Sequence, residues 1–293
     1  MANYEDISRE LGQTPTNFDY MRNRYADKIK CITGRDIIYY YSGWMQNKNS
    51  NNLDINDSDM EGFMNAMSGV RGEGVDLILH TPGGDPHAAE AIVQYIKGMY
   101  NKDLRVIVPH MAMSAGTMIA CASKEIIMGK QSSLGPVDPQ FNGIPAYNIR
   151  SEFEEAKNDL STNPQNANFW AIRLQQYPAA FLKNAVDAIE LTNSLVKSWL
   201  ADNMLSEETD PNQKSEKITA ILNNHEDTMA HARHFNIDKC REIGLNVKPL
   251  EDDQDVQDAV LSFHHIMMIT FQNTTAAKII GSDKKAYIST AGQ

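Results

Sequence analysis

Asp76-Leu-Ile-Leu-His-Thr-Pro-Gly-Gly-Asp-Pro-His87 opens the stretch that decides how this chain folds. A short run of buried-type residues stops at Pro82-Gly83-Gly84, Asp85 is a good helix N-cap, and Pro86 suits the first helical position. Ala89, Ile92, Val93, Ile96 and Met99 then recur on one face at helical spacing, which predicts an amphipathic helix over 86–100 packed on a sheet. The plan repeats at once. Val106-Ile-Val-Pro-His-Met-Ala112 reads as a second strand, Met113-Ser-Ala-Gly-Thr117 as a turn into a small-residue helix over 118–123, and Glu125-Ile-Ile-Met-Gly129 as a third strand. Strand, turn and helix in series make this an α/β chain.

A serine at a strand-to-helix turn has its hydroxyl near free backbone N–H groups, and the positive end of the helix dipole favours an oxyanion developing there. The Gly83-Gly84 turn, at the end of a neighbouring strand, can bring further N–H groups to the same point. Ser114 therefore reads as a nucleophile beside an oxyanion hole. Its surround, Ala-Met-Ser-Ala-Gly116, falls one residue short of the Gly-x-Ser-x-Gly elbow of the α/β-hydrolases, which makes that fold the second choice. Read alone, Ser114 is also an ordinary cap for a buried helix.

The pairing of Thr81-Pro-Gly-Gly84 with Met113-Ser-Ala-Gly116 resembles the superfamily of the Clp protease proteolytic subunit and signal peptide peptidase A. Leu134-Gly-Pro-Val-Asp-Pro-Gln140 is most similar to the serine dehydrogenase proteinase family within it. The likeness runs over residues 76–140 and resumes over about 230–280. It implies a Clp protease/crotonase-like fold of repeated ββα units with a helical C-terminal extension. It also implies a serine endopeptidase with a triad in the order Ser, Asp, His. Carried over, the triad falls on Ser114, Asp138 and, counting back from Cys240-Arg-Glu-Ile-Gly-Leu245, on His231, which follows Ala230 where the family has threonine. The oxyanion hole falls on Gly84 and Ala115, with Gly83 beside them. Peptide or protein substrates and a homo-oligomer are implied by the same resemblance, and no cofactor.

Composition bounds the alternatives. Over 293 residues, 27 basic and 38 acidic side chains leave a net charge of −11, which argues against a duplex nucleic-acid binder and against anionic membranes. Cys31, Cys121 and Cys240 are isolated, so neither a disulfide framework nor a zinc site is expected, and a reducing cytosol suits them. No basic region followed by an apolar core opens the sequence, and no stretch approaches eighteen apolar residues, so a cytoplasmic protein without a membrane segment is the expectation.

Outward from the centre, residues 1–30 read as a helical arm, 31–205 as the α/β core and 206–293 as an extension packed on it. Residues 35–43 form a β-branched and aromatic strand ended by glycine. Residues 47–57 are a loop, and a calcium reading of Asp54, Asn56 and Ser58 fails because Asp59 stands where glycine is needed and Asn65 where the closing glutamate should be. Met60, Phe63, Met64 and Met67 mark a core-facing helix. Asp138 is the one carboxylate in a turn-rich segment, where a loop aspartate is ordinarily an Asx-turn residue. Residues 149–160 and 179–200 look helical, 206–216 is a polar linker, and 256–275 is a long amphipathic helix on which His264 and His265 read as structural. Metal ligation by His231 with His234 is conceivable. Other readings stay open: a Ser/Lys dyad as in signal peptide peptidases, using Lys157 or Lys183; a crotonase-like acyl-CoA enzyme; and a non-catalytic assembly protein that keeps the fold.

Overall fold

A strand covered on both faces needs an unbroken apolar run, and β1 (Asp36–Ser42) and β2 (Val75–His80) are buried at every position. The computed structural model describes residues 3–13, 18–46, 52–69, 72–141, 143–223 and 233–290. The strands that follow are β3 (Leu104–Val108), β4 (Met111–Ala112), β5 (Glu125–Met128), β6 (Ser133–Leu134), β7 (Gln140–Phe141), β8 (Ile144–Pro145), β9 (Val247–Pro249), β10 (Ala276–Ser282) and β11 (Ala286–Thr290). Seven of these form one sheet in the order β11-β10-β1-β2-β3-β5-β9. The strands from β1 to β9 in that order run parallel, and β10 and β11 extend the edge antiparallel. The fold is mixed α/β.

Alternation along the strands divides the interior in two. Ile38, Tyr40, Leu77, Leu79, Val106 and Val108 face one core, and Ile37, Tyr39, Tyr41, Ile78, Ile107 and Ile127 face the other. Helices α3 (Asp59–Met67), α4 (Pro86–Tyr100) and α5 (Ala115–Cys121) cover the first face. The second is covered by α2 (Phe18–Thr33) and the long α11 (Gln254–Asn273), with α1 (Tyr4–Gln13) packed on α11. Helices α6 (Ala146–Thr162), α7 (Ala167–Leu174) and α8 (Phe181–Trp199) leave the sheet, and Ala146, Ile149, Ala185 and Ile189 make a small core of their own. Then α9 (Pro211–Leu222) and α10 (Ile237–Glu242) lead back to β9.

Several local expectations shift. Residues 206–216, read as a linker, already contain the first half of α9, which Asp210 caps by accepting from Gln213 N–H with Pro211 behind it. Residues 206–293 do more than pack on the core, because they supply β9, β10 and β11 to the main sheet. Met99 and Met64, read as inward, are 46% and 43% exposed, and Tyr100 takes the buried place at the end of α4. No described helix is long and apolar enough to cross a membrane.

A second, smaller layer stands at the C-terminal ends of the central strands. Ile55 pairs with Gly84, Thr81 with Ala112, β4 with β6, and Leu134 with Phe235. Each long strand thus hands its chain to a short extended piece before the next helix. The turns that follow β2, β3 and β5 are tied to one another by backbone hydrogen bonds.

Candidate active site

The two glycine-marked motifs interlock. Thr81 N–H donates to Met111 C=O at 3.0 Å, and Met113 N–H donates back to Thr81 C=O at 3.1 Å. Gly83 has φ +109 and lies so close to Ser114 that an added Cβ would be 2.6 Å from Ser114 Cβ and 2.8 Å from Met113 O. A Cβ on Gly116 would meet Thr81 Cγ2 at 2.4 Å. Each motif therefore supplies the absent side chains that let the other approach.

Ser114 ends the turn from β4 into α5 at φ +51, ψ −117, a backbone conformation that costs a non-glycine residue on the order of 1–3 kcal/mol. It holds the N-cap position, yet among the described residues its side chain makes no capping bond. Ser114 lines a cavity of about 460 Å³ together with Gly84, Ala115, Met118, Val137 and Phe141. Such strain persists only where the surrounding structure holds the residue in place.

Two residues that line this cavity, Gly84 and Ala115, carry backbone donors with no backbone acceptor among the described residues. Gly83 N–H is taken by Thr81 Oγ1 at 3.1 Å. Gly84 is flanked by Gly83 C=O, which accepts from Ile55 N–H at 2.7 Å, and by Asp85 N–H, which donates to Ile55 C=O at 2.8 Å. Because the intervening peptide is trans, Gly84 N–H points away from Ile55. Ala115 N–H is a first-turn donor of α5. Among the described residues, neither Gly84 N–H nor Ala115 N–H donates to a backbone carbonyl.

Asp138 is 1% exposed and lies between Val137 and Pro139, which both line the cavity. Val137 N–H donates to Leu222 C=O at 3.1 Å, and Leu134 pairs with Phe235 through bonds of 3.0 and 2.8 Å. Gly135 N–H donates to Thr117 Oγ1 at 2.9 Å, which ties this loop to α5. His231 lies outside the described residues. Lys157 is exposed on α6, and Lys183 is exposed and paired with Asp187; neither lines the cavity. His234 is exposed with Nδ1 2.8 Å from Ser133 Oγ. Among the described residues no group of three or more His, Cys, Asp or Glu is placed to hold a metal.

Asp54, weighed from sequence only as a calcium ligand, and His87 and Thr192, which that reading passed over, also line the cavity. They come from the loop before α3, the first turn of α4 and the middle of α8, and no local pattern marks such a meeting. Behind the two interlocked turns, on the α11 face, His80, His110 and His264 stand with ring centroids 5.2–5.7 Å apart. Burial and the neighbouring rings hold His80 well below the usual imidazole range, and burial takes His264 down to about 3. Burial also pushes the Cys121 and Cys240 thiols up, which leaves them poor nucleophiles.

A family profile described as ClpP-like SDH-type serine proteinase matches residues 51–274. The chain belongs to this family. The ClpP-like proteinase profile covers both interlocked turns, the Asp138 loop and α11. Among related sequences, the uncharacterized protein MJ0137 of Methanocaldococcus jannaschii is 34% identical over 173 residues, 59% of this chain and 53% of that one. A second protein of that organism, the uncharacterized MJ1495, is 49% identical over 75 residues, 26% of this chain and 25% of its own. The chain thus spans about half the length of the first relative and a quarter of the second. Among solved structures, a mutant of the 1510-N membrane-bound stomatin-specific protease aligns at 18% identity with a TM-score of 0.37, over 66% of this chain and 74% of that one.

Proposed function

We propose that this member of the ClpP-like SDH-type serine proteinases is a serine endopeptidase that works through an acyl-enzyme on Ser114. The observation that carries the reading is the strained, uncapped Ser114 facing a cavity with Gly84 and Ala115. His231 takes the Ser114 proton and later gives it to the leaving amine, while Asp138 orients the imidazole. Support for that assignment comes from both described flanks of residues 224–232. Leu222 and Phe235 each hydrogen-bond to the segment that leads into Asp138. The Gly84 and Ala115 N–H groups stabilise the tetrahedral oxyanion, with Gly83 allowing the close approach.

The wall of Met118, Val137, Phe141 and Ala188 suits an apolar substrate side chain beside the scissile bond. Cytosolic peptides or proteins are the proposed substrates. A homo-oligomer belongs to the same proposal, and Phe169 and Ile172 on α7, 60% and 63% exposed, are surface that self-association would cover.

A fluorophosphonate probe tests the reading. Wild-type protein should be labelled once, at Ser114, and Ser114→Ala should be inert. Labelling at another serine, or none in a folded wild-type protein, would leave an assembly protein on a peptidase fold as the better account.

A further inference from the structure

Lys278 is an anomaly in β10, a lysine 1% exposed in the middle of the apolar run Ala276–Ser282. A buried ammonium persists only where its hydrogen bonds are met. Lys278 Nζ donates to the Asp59 carboxylate at the start of α3 and to the Asp54 C=O at 3.0 Å. Asp59 Oδ2 in turn accepts from Asn56 N–H at 3.0 Å and from the Tyr40 hydroxyl at 3.0 Å. The ion pair therefore grips the peptide groups on both sides of Ile55.

Those two peptide groups are the ones that hold the Gly83-Gly84 turn. Asp54 C=O, bound by Lys278, shares a peptide with Ile55 N–H, which donates to Gly83 C=O at 2.7 Å. Gly83 C=O shares a peptide with Gly84 N–H. Asn56 N–H, bound by Asp59, shares a peptide with Ile55 C=O, which accepts from Asp85 N–H at 2.8 Å. In the first file, the ammonium, two aligned peptide dipoles and Gly84 N–H follow head to tail.

We propose that Lys278 and Asp59 are positioning residues for the oxyanion hole, acting on Gly84 N–H through the peptides flanking Ile55. The pair fixes the plane of the Gly83–Gly84 peptide, and the hydrogen-bonded file from Lys278 polarises Gly84 N–H toward the oxyanion. Hydrogen bonds in such chains reinforce one another. The inference rests on the peptidase reading above, since without an acyl-enzyme there is no oxyanion to serve.

Removing Lys278 alone leaves a buried carboxylate uncompensated, so the test removes both charges, in the double variant Lys278→Met with Asp59→Asn. The readout is the kinetics of fluorophosphonate labelling of Ser114, separated into the limiting rate and the half-saturating probe concentration, beside the melting temperature. Loss of a whole oxyanion donor costs on the order of 10²–10³ in rate, and a misaligned donor should cost about tenfold or more. The limiting rate should fall by that factor with the half-saturating concentration unchanged. A limiting rate within about twofold of wild type in the folded variant would overturn the proposal, and so would a lower melting temperature with normal labelling.

A second variant does not depend on the double variant folding. Replacing Ile55 by its α-hydroxy acid analogue turns Ile55 N–H into an ester oxygen and deletes the one bond to Gly83 C=O. Its limiting rate should fall likewise, and wild-type labelling kinetics there overturn the relay. Should wild-type protein itself fail to label at Ser114, the peptidase reading fails first and the relay with it.

Discussion

Gly83 and Ser114 are in such close contact that the first carbon of any side chain on Gly83 would lie 2.6 Å from Ser114 Cβ. The glycine is therefore part of how the serine is placed, at φ +109 where an L-residue is already strained. Gly83→Ala should cut the labelling rate of Ser114 about 10²-fold, because the nucleophile must move, while the protein stays folded with about 1–3 kcal/mol less stability. Labelling at the wild-type rate would show that the contact relaxes without moving Ser114.

Ser114 itself stores strain at φ +51. Glycine adopts that conformation without the Cβ penalty, so Ser114→Gly should abolish labelling and raise stability by about 1 kcal/mol, read by chemical denaturation. A variant less stable than wild type would mean that the hydroxyl contributes more to the fold than its uncapped position implies.

The general base is tested by rate and pH together. His231→Ala should lower turnover by several orders of magnitude, on the order of 10⁶-fold, and wild-type acylation should rise through a pKa near neutrality as the imidazole loses its proton. Lys157→Ala should change little. The reverse pattern, a dead lysine variant and a normal histidine variant, would assign the dyad.

The buried histidines carry an acid sensitivity. Folded His264 titrates at about 3 and the unfolded side chain near 6.5, so below about 6.5 the unfolded chain binds a proton that the fold refuses. Its contribution is whole above about pH 6.5 and is lost at about 1.4 kcal/mol per pH unit as pH falls toward the folded value. His80 adds a loss of the same sign. His264→Gln should therefore flatten stability against pH between about 6.5 and 4.5 by about 1.4 kcal/mol per unit. An unchanged slope would place the proton uptake elsewhere.

What could be read from sequence is what is local. The strand, turn and helix of residues 76–100 are each encoded within a few residues, down to Asp85 accepting from His87 N–H at the N-cap of α4. Ser114 and Gly84 could be paired because both close the same repeated unit. The brace could not be read, since Asp54, Asn56 and Asp59 look only like a polar loop until β10 is set against β1, and their partner Lys278 is 219 residues from Asp59. Yet a signal was there, a lysine inside Ala-Ala-Lys-Ile-Ile280, where a charge in a buried strand demands a partner. Asp138 stood out as the only carboxylate in its turn, but nothing local tells an Asx turn from a buried 1% exposed side chain at a cavity edge.

The antiparallel pairing of Ile38 with Ser282 also sets an order of events during synthesis. A ribosome releases β1, β2, β3 and β5 long before β10, and a parallel sheet with its Ser114 turn can start to collapse on those strands alone. Lys278 reaches the loop at Ile55 only when translation has passed it. A half-made chain therefore carries the Ser114 turn without the buried Lys278–Asp59 pair that holds the loop at Ile55.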